Sequence, residues 1–259
     1  MAPPLPISCF IIALNEADRI ARTIRSVRAL AGEVVVVDSG STDGTQSIAE
    51  AEGARVIFNA WPGFGQQKRF AEDRCRNDWL LNLDADEVVT PELAQEIRTL
   101  FAAGEPPLAV YGMRVSQVYP GAQKPRLWAR DHYCLRLYDR RRVRFKNSTL
   151  HDSVDPGSKR VGGLSHDIYH FSVRSLDDLI AKCDARARYN AEHSKPKSRL
   201  LLAMRLVLEF PASFLKYYFL RLHITGGLMG FQFAMIVAFF RFVRISRLWQ
   251  ATKAGSKSG

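Results

Sequence analysis

The residues best placed to do chemistry are the acids of Leu81-Asn82-Leu83-Asp84-Ala85-Asp86-Glu87, where three carboxylates directly follow an apolar run. Two aspartates one residue apart at the end of a buried strand present oxygens to a hard divalent cation, and such a cation bridges the oxygens of a diphosphate. Activating a diphosphate as a leaving group is the natural use. The competing reading is a solvated acidic turn capping the next helix, an everyday role for one aspartate and a less usual one for three acids together. A second cluster, Val37-Asp38-Ser39-Gly40-Ser41-Thr42-Asp43-Gly44-Thr45, also closes an apolar run. An acid there reads a ribose or base edge, and the glycines let the backbone approach a ligand. Taken alone, the same residues are ordinary turn punctuation. A third turn, Ala13-Leu14-Asn15-Glu16, closes the first apolar run.

The elements that position these turns follow from periodicity. Ile7–Leu14 and Glu33–Asp38 are nearly continuous Ile/Val runs, the pattern of parallel strands buried on both faces. Between them Ile20, Ile24, Val27 and Leu30 fall at helical spacing, with Asn15 or Asp18 near the helix start. The pattern repeats as helix Thr45–Glu52, strand Ala54–Phe58, helix Gln66–Arg76, strand Trp79–Leu83 and a helix after Thr90-Pro91 running to about Ala102. An α/β, doubly wound domain is predicted, with a ligand crevice at the carboxyl ends of its strands, where all three turns lie. Beyond Gly104-Glu105-Pro106-Pro107, residues 109–118 and 133–145 alternate as strands, Tyr119–Asp131 and His151–Gly163 read as loops, and Leu176–Ser194 reads as a helix.

Of the 259 residues, 47% are hydrophobic and 24% charged, which argues against disorder, collagen-like sequence and a disulfide scaffold. The net charge of +11 is uneven: residues 1–110 hold 10 Lys/Arg against 16 Asp/Glu, and residues 111–259 hold 27 against 10. The basic half admits phosphorylated lipid, a membrane surface or nucleic acid as partner. Cys9, Cys75, Cys134 and Cys183 are scattered without metal-ligand spacing and read as reduced structural thiols. Ile7–Leu14 follows no basic residues and meets no small-residue cleavage site, so it reads as a strand rather than an export signal. Leu200–Phe219 is apolar and aromatic but contains Arg205, Glu209, Pro211 and Lys216. Ile224–Phe240 is uncharged and is flanked by Arg221, Arg241, Arg244 and Arg247. That run is shorter than the ~20 residues of a spanning helix, and the composition matches helices lying in a membrane interface. A soluble helical subdomain or a dimer interface is the alternative.

The segment Ile11-Ile12-Ala13-Leu14-Asn15-Glu16, the Asp38–Thr45 turn and Asp84-x-Asp86 together resemble the family 2 glycosyltransferases of GT-A fold. Within that family the chain looks most like the lipopolysaccharide core β-glucosyltransferases of Gram-negative bacteria. The resemblance is strong over residues 7–100, partial over 130–195 and faint beyond. It implies a nucleoside-diphosphate sugar, UDP-glucose in this group, and Mg²⁺ or Mn²⁺ held through Asp86 and assisted by Asp84, with His170 approaching from the far side. It also implies nucleotide-sugar contacts from Leu14, Asn15, Glu16, Asp38, Asp43, Gly44, Asp84 and Ala85. Lys68 and Arg69 of Gly65-Gln66-Gln67-Lys68-Arg69 join that set, or else form a solvated basic helix face.

A transferase that inverts configuration needs a base opposite the leaving diphosphate. Leu150-His151-Asp152-Ser153-Val154 resembles the His-Glu or His-Asp element of related core enzymes, with Asp152 as base and His151 orienting it or touching substrate. Asp131, Asp139 and Asp155 are rival bases. His166-Asp167-Ile168-Tyr169-His170 resembles the close of the catalytic domain. Seven arginines from Arg126 to Arg144 suit phosphate contacts on a phosphorylated acceptor, or form a generally basic surface.

The resemblance implies a glycosyltransferase domain over residues 1–195, divided into a nucleotide-sugar half (1–105) and an acceptor half (106–195), then a helical membrane-interface segment (196–250) and a disordered tail (251–259). The expected function is inverting, metal-dependent transfer of a hexose to a lipid-linked envelope glycan such as the lipopolysaccharide inner core, at the cytoplasmic face of the bacterial inner membrane. A polyprenyl phosphate or another envelope glycan is the rival acceptor. Nucleotidyl transfer wants a Gly-rich basic loop where this chain has Asn15-Glu16-Ala17-Asp18. A purely basic membrane-binding or nucleic-acid-binding module leaves the carboxylates without a role, and no nucleic-acid motif is present, so no nucleic-acid partner is expected.

Overall fold

In β1 (Leu5–Ala13) side chains alternate between two apolar layers. Ile7, Cys9, Ile11 and Ala13 pack with Ile20, Ile24 and Val27 of α1 (Ile20–Val27), while Phe10 packs on the opposite side with Ala71 of α3 (Phe64–Arg74). β2 (Ala31–Asp38) divides likewise, Val34 and Val36 to one layer and Val35 and Val37 to the other. Burial on both faces is why these strands read as unbroken apolar runs. With α2 (Thr45–Ala51), β3 (Arg55–Phe58) and β4 (Trp79–Asp84) they form a parallel block in the order β3-β2-β1-β4. The computed structural model describes residues 3–129, 132–149, 152–194 and 198–254. His151, Arg130 and Asp131 therefore lie outside the described residues.

Past β4 the sheet is mixed. It continues through β7 (His132–Asp139), β6 (Val110–Gln117), β11 (Ile168–His170) and β5 (Glu87–Val89), with α4 (Pro91–Leu100) between β5 and β6 in sequence. β7 runs antiparallel to both β4 and β6, β11 is parallel to β6, and β5 is antiparallel to β11. The run 133–145 is thus two strands rather than one. After β7 the chain turns, Arg142 and Val143 both donating their amides to the Asp139 carbonyl at 3.0 Å, and then forms β8 (Arg144–Phe145). β8 pairs with β9 (Val154–Asp155), and β10 (Gly162–Gly163) pairs with β6. β9 and β10 fall within the expected loop 151–163 and are two residues each, too short for a period-two pattern to show.

Residues 3–117 and 132–172 form one compact unit, and 118–129 with 173–254 form a second. The helical unit thus begins well before residue 196 and takes in the loop after β6. Within it the Tyr119 hydroxyl meets Nδ1 of His223 at 2.5 Å, and a Cβ on Gly226 would come within 2.4 Å of the Tyr119 ring. Its helices are α5 (Leu176–Glu192), α6 (Arg199–Leu215) and α7 (Gly227–Ala254), the last two joined through a π-helical turn at Lys216–Leu220 and a 3₁₀ turn at His223–Gly226. Residues 251–254, expected as tail, continue α7.

Between α6 and α7 a buried ion-pair cluster sits beside the apolar contact of Leu202 with Ile245 and Leu248. Glu209 is buried and pairs with Arg205 of its own helix at 2.5 Å and with Arg241 of α7 at 3.2 Å, while Ser213 accepts from Arg241 Nε at 2.9 Å. On the outer side of α6, Leu200, Met204, Val207, Leu208 and Leu215 are exposed, Leu200 and Val207 each by 75%. The helix α7 continues past the uncharged segment, since arginine is a good helix former, and its arginines find partners on the neighbouring helices: Arg241 with Glu209, and Arg247 with Asp184 of α5 at 2.6 Å. His223–Thr252 is one helical stretch long and apolar enough to cross a membrane by length and composition, with mean hydropathy 1.6 over 18 of its residues, where the uncharged run alone fell short.

In the α/β unit, the carboxylate of Glu72 clamps α3 to the sheet. It accepts from the Tyr138 hydroxyl at 2.9 Å, the Phe145 amide at 2.9 Å and Arg144 Nε at 2.7 Å, with no exposure of its own. Glu72→Ala strands a buried hydroxyl, an amide and half of an ion pair, and is expected to cost about 3 kcal/mol in urea unfolding. An unchanged midpoint would show that α3 is held by apolar packing alone.

Candidate active site

The period of β4 puts Leu80, Asn82 and Asp84 on the sheet face that meets α3, while Leu81 and Leu83 face α1 and α4. Asn82 is the polar interruption of an apolar strand, and two cations explain it. Lys68 of α3 is completely buried, which is costly for an ammonium unless oxygens surround it. Its Nζ donates to Asn82 Oδ1 at 3.1 Å, Asp84 Oδ1 at 2.9 Å and Asp152 Oδ2 at 2.9 Å, one acceptor for each proton it carries. Arg136 of β7 enters the same layer, bonding Asn82, Asp84 Oδ2 at 2.9 Å and Glu87 Oε1 at 2.5 Å. Burial alone would raise the Asp84 carboxyl; Arg136 and Lys68 outweigh it and hold the group well below the usual carboxylate range. Glu87 goes the other way, burial pushing it up to about 7 against the pull of Arg136.

Asp86 lies beyond this pair, and its oxygens meet different partners. Oδ1 is 3.3 Å from Nε2 of His170 on β11, and Oδ2 is 3.2 Å from Arg19 Nη1. The backbone fixes the approach, since Phe171 N donates to the Asp86 carbonyl at 2.9 Å. Burial would lower the His170 imidazole, but the Asp86 hydrogen bond and the surrounding carboxylates raise it overall. Arg19 also reaches Glu16 at 2.9 Å and the Phe171 carbonyl at 2.8 Å, so it ties the first turn to the acidic one. Its Nη2 is buried without a hydrogen-bond partner among the described residues.

No group of three or more His, Cys, Asp or Glu side chains among the described residues forms a ready cation cage. The donors that fit a cation are Asp86 Oδ1 and His170 Nε2, an oxygen and a nitrogen whose remaining coordination suits phosphate oxygens, the usual way Mg²⁺ is held. Asp84, expected to assist the metal, has both oxygens engaged by Lys68 and Arg136. The buried Arg19 nitrogen beside Asp86 fits an anionic ligand at the same place.

The two remaining turns are stitched to each other. Asn15, in a left-handed conformation at φ 56°, donates its amide to Ser41 Oγ at 2.8 Å and accepts from Thr42 N at 2.9 Å. Glu16 N reaches Thr45 Oγ1 at 2.8 Å, and Ala17 N reaches Asp43 Oδ2 at 3.0 Å. The Thr45 hydroxyl and the Ala17 amide hold the Asp43 carboxyl below its ordinary range. Asp38 is fully buried and accepts from Gly40 N, Ser41 N, the Ser41 hydroxyl and Gln46. Gly44, at φ 91°, begins α2 in a conformation glycine adopts without strain. These polar side chains brace the two turns against each other, and Leu14 stands half exposed beside them. The Ala85 carbonyl is taken by Thr23 Oγ1 at 2.8 Å.

Asp152 is joined to the site by Lys68, and its rivals Asp139 and Asp155 have other partners. Asp139 is buried under Arg141, and Asp155 accepts its own turn's Gly157 amide at 3.0 Å. Arg69, next to Lys68 in sequence, turns instead to the Phe145 carbonyl at 2.9 Å. The arginines expected to meet acceptor phosphate are in large part structural: Arg136 lies under the carboxylates, Arg140 binds Asp78, Arg141 binds Asp139 and Glu105, and Arg144 binds Glu72 and Asp73. Arg126 is buried in the helical unit and donates to the Arg221 carbonyl. Sequence reading did not find the roles of Arg19 and Asn82. Only the polar break in β4 signalled Asn82, and the spacing of Glu16 and Arg19 is common at any helix start.

A family model described as glycosyl transferase family 2 matches residues 8–159, more than half of the chain. The chain belongs to glycosyltransferase family 2. Its fold is that family's GT-A fold, and it is a glycosyltransferase. An uncharacterized glycosyltransferase of Rickettsia felis is 40% identical over 93% of this chain and 89% of its own length. The lipopolysaccharide core biosynthesis glycosyltransferase LpsC of Rhizobium meliloti is 31% identical over 96% and 94%. Among solved structures, glucosyl-3-phosphoglycerate synthase of Mycobacterium tuberculosis in complex with Mn²⁺ and UDP-glucose is 28% identical over 45% of this chain and 44% of that one, with a TM-score of 0.35.

For this family 2 enzyme, the Lys68–Asp84 contact is testable by a double-mutant cycle. Lys68→Met and Asp84→Asn are each expected to destabilise, and the double variant by less than their sum, with a coupling of about 2 kcal/mol in urea unfolding. Additive losses would show that the buried charges do not depend on each other.

Proposed function

We propose that this chain is an inverting, metal-dependent hexosyltransferase that moves a hexose from a UDP-sugar, glucose from UDP-glucose by its resemblance, to a lipid-linked envelope glycan such as the lipopolysaccharide inner core. The observation that carries the reading is the bridge made by Lys68. One buried ammonium touches Asp84, at the end of the donor-binding strand, and Asp152, from a loop 68 residues later, so a candidate base and the acidic turn share one site. The name of the Rhizobium relative supports the acceptor class.

Asp86 and His170 would hold Mg²⁺ or Mn²⁺, which when bound neutralises the charge of the leaving diphosphate. Asp152 takes the proton from the acceptor hydroxyl as that oxygen attacks the anomeric carbon, and the bond from that carbon to the diphosphate breaks on the opposite face. Lys68 keeps the Asp152 carboxylate in place, and Arg19 adds positive charge beside Asp86.

The exposed apolar side of α6 supports attachment to the membrane, at its cytoplasmic face in this reading. Leu200, Met204, Val207, Leu208 and Leu215 face outward while the Glu209 ion pairs are turned inward, an arrangement suited to lipid. Basic Arg199, Lys216 and Arg221 at the ends of α6 and the following turn suit anionic headgroups.

Turnover of UDP-hexose is expected to require Mg²⁺ or Mn²⁺ and to be abolished by Asp86→Ala with the fold retained. Asp152→Asn should lower transfer by about 10²-fold or more while UDP affinity stays level. Full activity in excess chelator would remove the metal, and wild-type rates in the asparagine variant would remove Asp152.

Full-length protein is expected to float with vesicles of anionic lipid at low salt. Val207→Glu with Leu208→Glu on the outer side of α6 should release it without loss of helicity. Equal flotation of both proteins would assign that surface to something other than lipid.

A further inference from the structure

The α/β unit carries a second concave feature that the donor site does not use. A cleft of about 620 Å³ is walled by the turn Arg140–Asn147 on one side and Asp155–Lys159 on the other, with Arg69 of α3 lining it as well. Seven basic side chains line it, and they fall into two groups. Arg140, Arg141 and Arg144 are neutralised by Asp78, by Asp139 and Glu105, and by Glu72 and Asp73, so they build the wall. Arg142, Lys146 and Lys159 have no acidic partner among the described residues, and Arg69 meets only the Phe145 carbonyl. The one acid that lines the cleft, Asp155, is partly engaged by the Gly157 amide. Four unpaired cations against one acid in a concave surface repel one another and focus a positive potential into the cleft.

Its elements are those of the catalytic site. Arg69 follows Lys68 on α3, and the Lys146 amide donates to the carbonyl of Ser153, the neighbour of Asp152, at 3.0 Å. A ligand seated in the cleft is therefore held by the same helix and the same hairpin that present Lys68 and Asp152.

We propose that this cleft is a phosphate subsite of the acceptor: it takes a phosphomonoester borne by the glycan, gripped by Arg69, Arg142, Lys146 and Lys159. Guanidinium and ammonium groups together suit a dianionic phosphate, which offers more acceptor oxygens and more charge than a carboxylate. A single-stranded nucleic acid would need exposed aromatic rings to stack its bases, and the ring that lines the cleft, Phe145, is buried. The inference rests on the glycosyltransferase reading and narrows the acceptor class to phosphorylated glycans.

The test uses the full chain, with glucose 6-phosphate, inorganic phosphate and glucose as probes, by calorimetry at low and high salt. Wild-type protein is expected to bind glucose 6-phosphate and phosphate saturably and glucose not at all. The double variant Lys146→Glu with Lys159→Glu should weaken both anions at least tenfold, with UDP affinity unchanged in the same samples. Absence of anion binding, equal binding by the variant, or equal binding of glucose would overturn the proposal. So would loss of affinity in the variant only for vesicles of anionic lipid, which would assign the cleft to headgroups. Failure of the glycosyltransferase reading would show separately, as loss of UDP binding and of UDP-sugar turnover in wild-type protein.

Discussion

Two cations buried in the layer between the sheet and α3 govern the architecture around the site. A lysine and an arginine taken out of water demand oxygens in fixed directions, and Lys68 and Arg136 obtain them from Asn82, Asp84, Glu87 and Asp152. These groups come from a helix, the neighbouring strands β4 and β7, the start of β5 and a distant loop. Their mutual satisfaction therefore holds five segments of chain in one arrangement. Asp86 stands outside this cluster, with Arg19 and His170 as its partners.

The turns after β1 and β2 follow the same economy. Asp38 and Asp43 spend their oxygens on amides and hydroxyls of the adjoining turns, which gives these loops a defined shape without regular structure. Acidic residues in such turns act as scaffolding. Arg19 extends the scaffold by linking Glu16 to Asp86.

In the helical unit an ion-pair cluster is buried beside an apolar one. Leu202 of α6 packs with Ile245 and Leu248 of α7, Glu209 with its arginines lies between the same helices, and a second row of α6 side chains, Leu200 to Leu215, faces outward. An ion pair in that position specifies how the helices pair more than it adds stability. It also lets α7 carry three arginines within one continuous apolar helix.

Local pattern alone determined much of this protein. Continuous Val/Ile runs located the parallel strands because burial on both faces leaves no polar positions, and the acidic turns fall at the ends of those strands as the spacing implied. Helices α1 to α5 lay within a few residues of their apolar periodicity. Tertiary structure decided what depends on partners far away in sequence. Arg136, Arg140, Arg141 and Arg144 read as a basic surface, yet each is tied to an acid that no local spacing reveals. Lys68 and Arg69 are indistinguishable as neighbours in the sequence, but successive helical residues point about 100° apart, so one enters the carboxylate cluster and the other the basic cleft. The arginines that end the uncharged run hid the length of the apolar stretch. Arg241 lies just past Phe240 yet falls inside α7, and its partner Glu209 is on another helix.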